Sequence, residues 1–103
     1  GILAIGVDSN QNYMQPGTML TSMLKRVDVA VYNAFNDVNN GEFTTGIVAM
    51  GLAEDGVGWA LDEFNEGMIT AEMLAAVTAA REAIIAGDIV VHDYMSDGSC
   101  PVE

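Results

Sequence analysis

The sequence has 103 residues, enough for one small α/β unit and short of a two-domain protein. Three basic residues stand against fifteen acidic ones, for a formal charge of -12, which excludes nucleic acid and an anionic membrane surface as partners. Half of the residues are hydrophobic, so the chain is no disordered acidic tail, and the acidity serves solubility. No apolar run approaches the ~18 residues that a membrane-spanning helix needs.

The chain opens on Gly1 and passes directly into Ile2-Leu3-Ala4-Ile5. An opening inside a core-like strand reads as part of a longer protein. Residues 2–8 form a short apolar run that ends at Asp8, the pattern of a buried strand delivering a polar side chain at its carboxyl end. A turn-rich loop follows through Asn10, Gln11, Asn12, Tyr13 and Pro16-Gly17.

A helix is predicted from Thr18, a good N-cap after the Pro-Gly pair. Leu20, Leu24, Val27, Val31, Ala34 and Val38 recur at spacings of four and three and form one apolar stripe, which Asn39-Asn40-Gly41 ends. Thr45 to Leu52 reads as a second strand, Glu54-Asp55-Gly56 as a hairpin turn, and Val57 to Leu61 as the returning strand. Asp62 to Gly67 is a polar loop. Thr70 caps a second helix, with Glu72 in its first turn, an apolar face of Met73, Val77, Ala80 and Ile84, and Gly87 as its stop. Ile89 to Asp93 reads as a final strand. The predicted order is β-α-β-β-α-β, an α/β arrangement with helices packed on a mainly parallel sheet.

Most chemical motifs fail on these residues. Gly56-Val57-Gly58 begins like a dinucleotide fingerprint, but Leu61 stands in place of the third glycine and a strand follows instead of a helix. In the acidic run from Asp62 to Gly67, Phe64 occupies a position where a calcium loop needs oxygen. One histidine and one cysteine lack metal-site spacing. His92 reads as a surface residue, Trp59 as packing, and the seven methionines as packing too. Cys100 is either an inert terminal thiol or the partner of a cysteine elsewhere. No nucleophile with an evident base is present, so no enzymatic activity and no cofactor are expected.

Two residues stand out. Asp8 ends the first strand, where open α/β sheets present ligand-binding side chains. Lys25, one of only three basic residues, is expected two turns into the first helix, away from its apolar stripe. A carboxylate can accept two hydroxyl hydrogen bonds from a sugar, and an ammonium can donate to its oxygens or fix the carboxylate. On residue types alone, a loop cap at Asp8 and a solvated position for Lys25 are the favoured readings.

Both lie within stretches that resemble a known family. Gly6-Val7-Asp8-Ser9-Asn10-Gln11 and the run from Pro16-Gly17-Thr18 through Ser22-Met23-Leu24-Lys25-Arg26-Val27-Asp28 look like the basic membrane protein family. Its members are substrate-binding lipoproteins of ABC importers, related to purine-nucleoside receptors. Gly51 to Gly58 and Ile84 to Ile89 fit the same family's C-terminal pattern, so the resemblance covers nearly the whole chain.

The resemblance implies a type I periplasmic-binding-protein fold that closes on its ligand between two lobes. Residues 1–53 would belong to the C-terminal lobe, and residues 57–103 would return to the N-terminal lobe. It also implies a periplasmic or extracellular receptor, lipid-anchored through a preceding segment, that delivers its solute to an ABC permease. In such nucleoside receptors the aspartate and lysine at the positions of Asp8 and Lys25 contact the ribose. One departure is Asn10, where the family often carries aspartate; it keeps the shape and loses the charge. A sensor domain on the same fold and a receptor for another small solute are the rival readings. Strands shared between two lobes would leave an isolated piece with open edges and a tendency to self-associate.

Overall fold

A computed structural model describes residues 1–101. Three strands, β1 (Ala4–Gly6), β2 (Met19–Lys25) and β3 (Val57–Trp59), form one sheet in the order β1-β2-β3. Two long helices, α1 (Val27–Asn40) and α2 (Ala71–Ala86), and one short helix, α3 (Tyr94–Asp97), complete the described elements. A single 3-10 turn at Asn12–Met14 lies in the loop between β1 and β2. The chain is a mixed α/β structure, as its sequence predicts. The order of elements differs: β-β-α-β-α-α replaces the expected β-α-β-β-α-β.

The largest difference lies at β2. Residues 19–25, expected as the start of the first helix, are extended and pair on both sides. β1 runs parallel to β2 and β3 antiparallel to it. Leu20 and Leu24 are four apart, a spacing that places two side chains on one face of a strand as readily as on one face of a helix. The pattern is therefore degenerate, and the two flanking edges decide it by taking up the backbone groups of this segment. The helix begins only at Val27, and its remaining stripe of Val27, Val31, Ala34 and Val38 keeps the predicted period.

Two further predicted strands are absent. Residues 45–52 run without ladder partners to the turn at Asp55, which has φ 54°. In that turn the Gly56 amide donates to Gly51 O at 2.9 Å and the Gly51 amide to Glu54 Oε2 at 2.8 Å. Residues 89–92 are likewise not a strand, and Asp93 instead accepts the Met95 amide at 2.9 Å to open α3. Apolar β-branched residues alone make no strand; a strand exists only against a partner edge. Here Ile47 and Val90 are both exposed.

The end of α1 and both ends of α2 follow the sequence. Thr70 Oγ1 accepts the Met73 amide at 3.2 Å, as an N-cap should. Gly41 and Gly87 close α1 and α2 in the left-handed conformation, at φ 72° and 83°, where a residue without Cβ pays no steric penalty. No helix among the described residues is long and apolar enough to cross a membrane.

The best-buried part of the molecule is polar. Asn12, Ser22 and Asn65 are completely buried, while Met19 and Ala60 are the buried apolar residues among those described. Gly6 is what lets β1 approach this group, since a Cβ on it would stand 2.6 Å from Ser22 Oγ and 3.0 Å from Gln11 Cβ. Above the other end of the sheet, α2 leaves a mainly apolar cleft of about 700 Å³ against β2 and β3, lined in part by Met23, Leu52, Trp59, Val77 and Ile84. Trp59 is half-buried and lines this cleft.

Two outcomes test this account. Gly6→Ala should cost about 1–3 kcal/mol by overpacking against Ser22, read as a lowered urea midpoint of the full chain. Ser22→Ala removes an acceptor for the Gln11 amide and a donor to Asn12, and should cost about 1–3 kcal/mol in the same assay. A midpoint unchanged in either variant would contradict the packing described.

Candidate functional site

Parallel pairing of β1 with β2 sends both carboxyl ends to the same side of the sheet. That side is where open α/β sheets place their ligand sites. Asp8 follows the end of β1 by two residues, and Lys25 is the last residue of β2. The Lys25 amide donates to the Asp8 carbonyl at 2.9 Å, so the two backbones touch. Lys25 is therefore at a strand end and not two turns into a helix, and that correction brings it to Asp8.

Asp8 has φ 75°, in the left-handed region. Aspartate enters that region more readily than most residues, but the conformation still costs on the order of 1 kcal/mol and must be held. The bond from Lys25 holds one side of it. On the other side, Gln11 Nε2 donates to Val7 O at 2.9 Å. Both Asp8 and Lys25 are exposed, and among the described residues no ion pair joins the carboxylate to the ammonium. The charges of both groups are open to a third partner.

Beneath Asp8 the loop is anchored by the buried polar group. The Gln11 amide donates to Ser22 Oγ at 3.0 Å, and Ser22 donates in turn to Asn12 Oδ1 at 2.8 Å. Asn12 Nδ2 donates to Asp62 Oδ2 at 3.1 Å, and Asn10 Nδ2 donates to the same oxygen at 2.6 Å. Asn10 Oδ1 accepts the Asn12 amide at 3.0 Å, an Asx turn within the loop. Asp62 Oδ1 accepts the Phe64 amide at 2.9 Å. The Asn10 hydrogen bond, with further N–H donors at Phe64, Asn12 and Asn65, holds the Asp62 carboxyl below the ordinary carboxylate range.

Asn65 ties this network to the sheet. Its Nδ2 donates to Leu20 O at 2.8 Å and to Ala60 O at 2.9 Å, and its Oδ1 accepts the Asp62 amide at 2.8 Å. Leu20 is the residue that the β1–β2 register skips, since Ala4 faces Met19 and Ile5 faces Thr21. A side-chain amide thus serves a carbonyl in the irregular part of the ladder.

Sequence reasoning singled out Asp8 and Lys25 as candidates and gave no role to Asn12, Ser22, Asp62 and Asn65. The available signals were the Thr21-Ser22 pair between apolar residues and Asp62, an Asx-turn former at the head of a polar loop. His92, by contrast, is exposed near the end of the chain, with Nε2 at 2.8 Å from Ser99 O, away from the site. Cys100 is exposed. Among the described residues no group of acidic, histidine or cysteine side chains could hold a metal ion.

The family model described as "ABC transporter substrate-binding protein PnrA-like" matches residues 1–94. Uncharacterised lipoproteins of Pyrococcus abyssi and Pyrococcus horikoshii are each 48% identical over 61 residues, a stretch that takes in 58% of this chain and 15% of each relative. A solved structure of an ABC transporter system solute-binding protein from Aeropyrum pernix K1 is similar at TM-score 0.64 and 30% identity, covering 89% of this chain and 34% of that one. The chain thus spans about a third of the solved protein, and its fold is that of an ABC solute-binding protein. With the family's model matched over nearly all of its length, the chain belongs to the PnrA-like family of ABC transporter substrate-binding proteins.

Proposed function

We propose that this chain forms part of an extracytoplasmic, lipid-anchored receptor of an ABC importer, in which Asp8 and Lys25 grip the ribose of a purine nucleoside. The observation that carries the reading is the hydrogen bond from the Lys25 amide to the Asp8 carbonyl at 2.9 Å. It brings the two residues together at the carboxyl end of two parallel strands, and both side chains are exposed with no ion pair between them among the described residues.

The chemistry suits a sugar. A carboxylate accepts two hydrogen bonds from a vicinal diol, and an ammonium donates to hydroxyl or ring oxygens. Neither group is paired with a nucleophile or a general base, so the reading is binding without turnover. Support for the anchored location comes from the lipoprotein relatives, and support for a permease partner comes from the family. In this reading the ligand is closed between two lobes, and the loaded receptor docks on the permease. In this reading β3, which is hydrogen-bonded to β2, stays with the first lobe, and the crossing to the second follows it.

Calorimetric titration of the full chain with inosine, guanosine and adenosine tests the proposal. Loss of a hydrogen bond to a charged group is worth about 1.5–3 kcal/mol, so Asp8→Ala and Lys25→Ala should each weaken binding by about tenfold to a hundredfold. The 2′-deoxy analogue should bind the parent more weakly, and that difference should shrink in Asp8→Ala. Nucleoside binding that ignores both substitutions, or no nucleoside binding at all, would sink the assignment.

A further inference from the structure

The loop that carries Asp8 crosses to the residues after β3 at one point, the carboxylate of Asp62. Its Oδ2 receives the side-chain amides of both Asn10 and Asn12, at 2.6 and 3.1 Å. These partners are fifty and more residues away in sequence, so the contact is a tertiary one and no product of the local turn. We propose that Asp62 is a positioning residue for the ribose-binding loop, holding Asp8 in its left-handed conformation and at its spacing from Lys25. The inference rests on the ribose reading given above for its functional consequence, and on geometry alone for the loop.

Asp62 suits the task on three counts. Asn12 is completely buried, and its Nδ2 has Asp62 as its acceptor. A buried amide donor without an acceptor is costly, so the bond fixes which way the loop sits. Asp62 is itself fixed, because its Oδ1 accepts the Phe64 amide and its own amide donates to Asn65 Oδ1. Finally, Asn65 is hydrogen-bonded to Leu20 O in β2, the strand that ends at Lys25. The path from Asp62 therefore reaches both ribose-directed residues, Asp8 through Asn10 and Asn12, and Lys25 through Asn65 and β2.

The two bonds to Asp62 Oδ2 can be removed together or one at a time. Asp62→Ala removes the acceptor of both amides and should release the loop. Asn10→Ala removes one donor, leaves Asn12 its acceptor and should release the loop in part.

The test measures two quantities in the full chain. The first, without ligand, is hydrogen exchange at the Lys25 amide, which is bonded to Asp8 O, with the neighbouring Arg26 amide, bonded to Gly56 O, as the internal control. The second is the affinity for inosine. With charged hydrogen bonds at stake, Asp62→Ala should speed Lys25 exchange by about tenfold and weaken inosine by about tenfold, with Arg26 unmoved, and Asn10→Ala should act in the same direction by less. A structural defect at large would accelerate Arg26 equally. Unchanged exchange at Lys25 in Asp62→Ala, or equal acceleration at Arg26, overturns the proposal. Should the parent protein fail to bind inosine, the ribose reading falls, and the exchange measurements still decide the role of Asp62 in holding the loop.

Discussion

Three side chains with no exposed surface, Asn12, Ser22 and Asn65, are the contact on which the rest of the structure turns. Each is hydrogen-bonded, and together they join the loop after β1, the middle of β2 and the segment after β3. Apolar packing tolerates many arrangements of similar volume. Buried amides and hydroxyls tolerate few, because each unmatched donor or acceptor costs about 1–3 kcal/mol. A small polar core therefore specifies geometry more narrowly than an apolar core of the same size. At this place in the fold, geometry is what a ligand site requires.

The same network accounts for the irregular ladder between β1 and β2. A parallel pair with a shifted register leaves the Leu20 backbone out of step, and Asn65 supplies the donor that its carbonyl needs. Gly6 is the counterpart on β1, since any larger residue would push into Ser22. Thr21 adds a further tie by donating to Ala60 O at 2.8 Å. Strand pairing, loop position and the left-handed Asp8 thus depend on one set of hydrogen bonds. The two charged residues at the surface inherit their spacing from it.

Apolar surface is distributed in the opposite way. Tyr32 and Phe35 on α1, and Ile47 and Val48 after it, stand largely exposed. Ile5 and Tyr13, next in sequence to Gly6 and Asn12, are exposed too, as are Val90 and Met95 near the end of the chain. The match covers 34% of the solved protein of the same fold. The edge strands β1 and β3 are only three residues long, which limits the open edge they present.

The sequence by itself determined the features whose causes are local. Thr70, Gly41 and Gly87 mark helix ends because capping and left-handed closure depend on neighbouring residues alone. The periodic stripe from Val27 to Val38 and the polar residue at the end of β1 were legible for the same reason. Asp8 and Lys25 could be singled out, but their adjacency could not, because it needs β2 to be a strand. That was decided only in the tertiary structure. Leu20 and Leu24 satisfy helix and strand periods alike, and the edges of β1 and β3 settle the choice. The segments 45–52 and 89–92 failed as strands for want of such an edge. Asp62 and Asn65 looked like an ordinary polar loop, since a hydrogen bond spanning some fifty residues leaves no periodic trace in the chain.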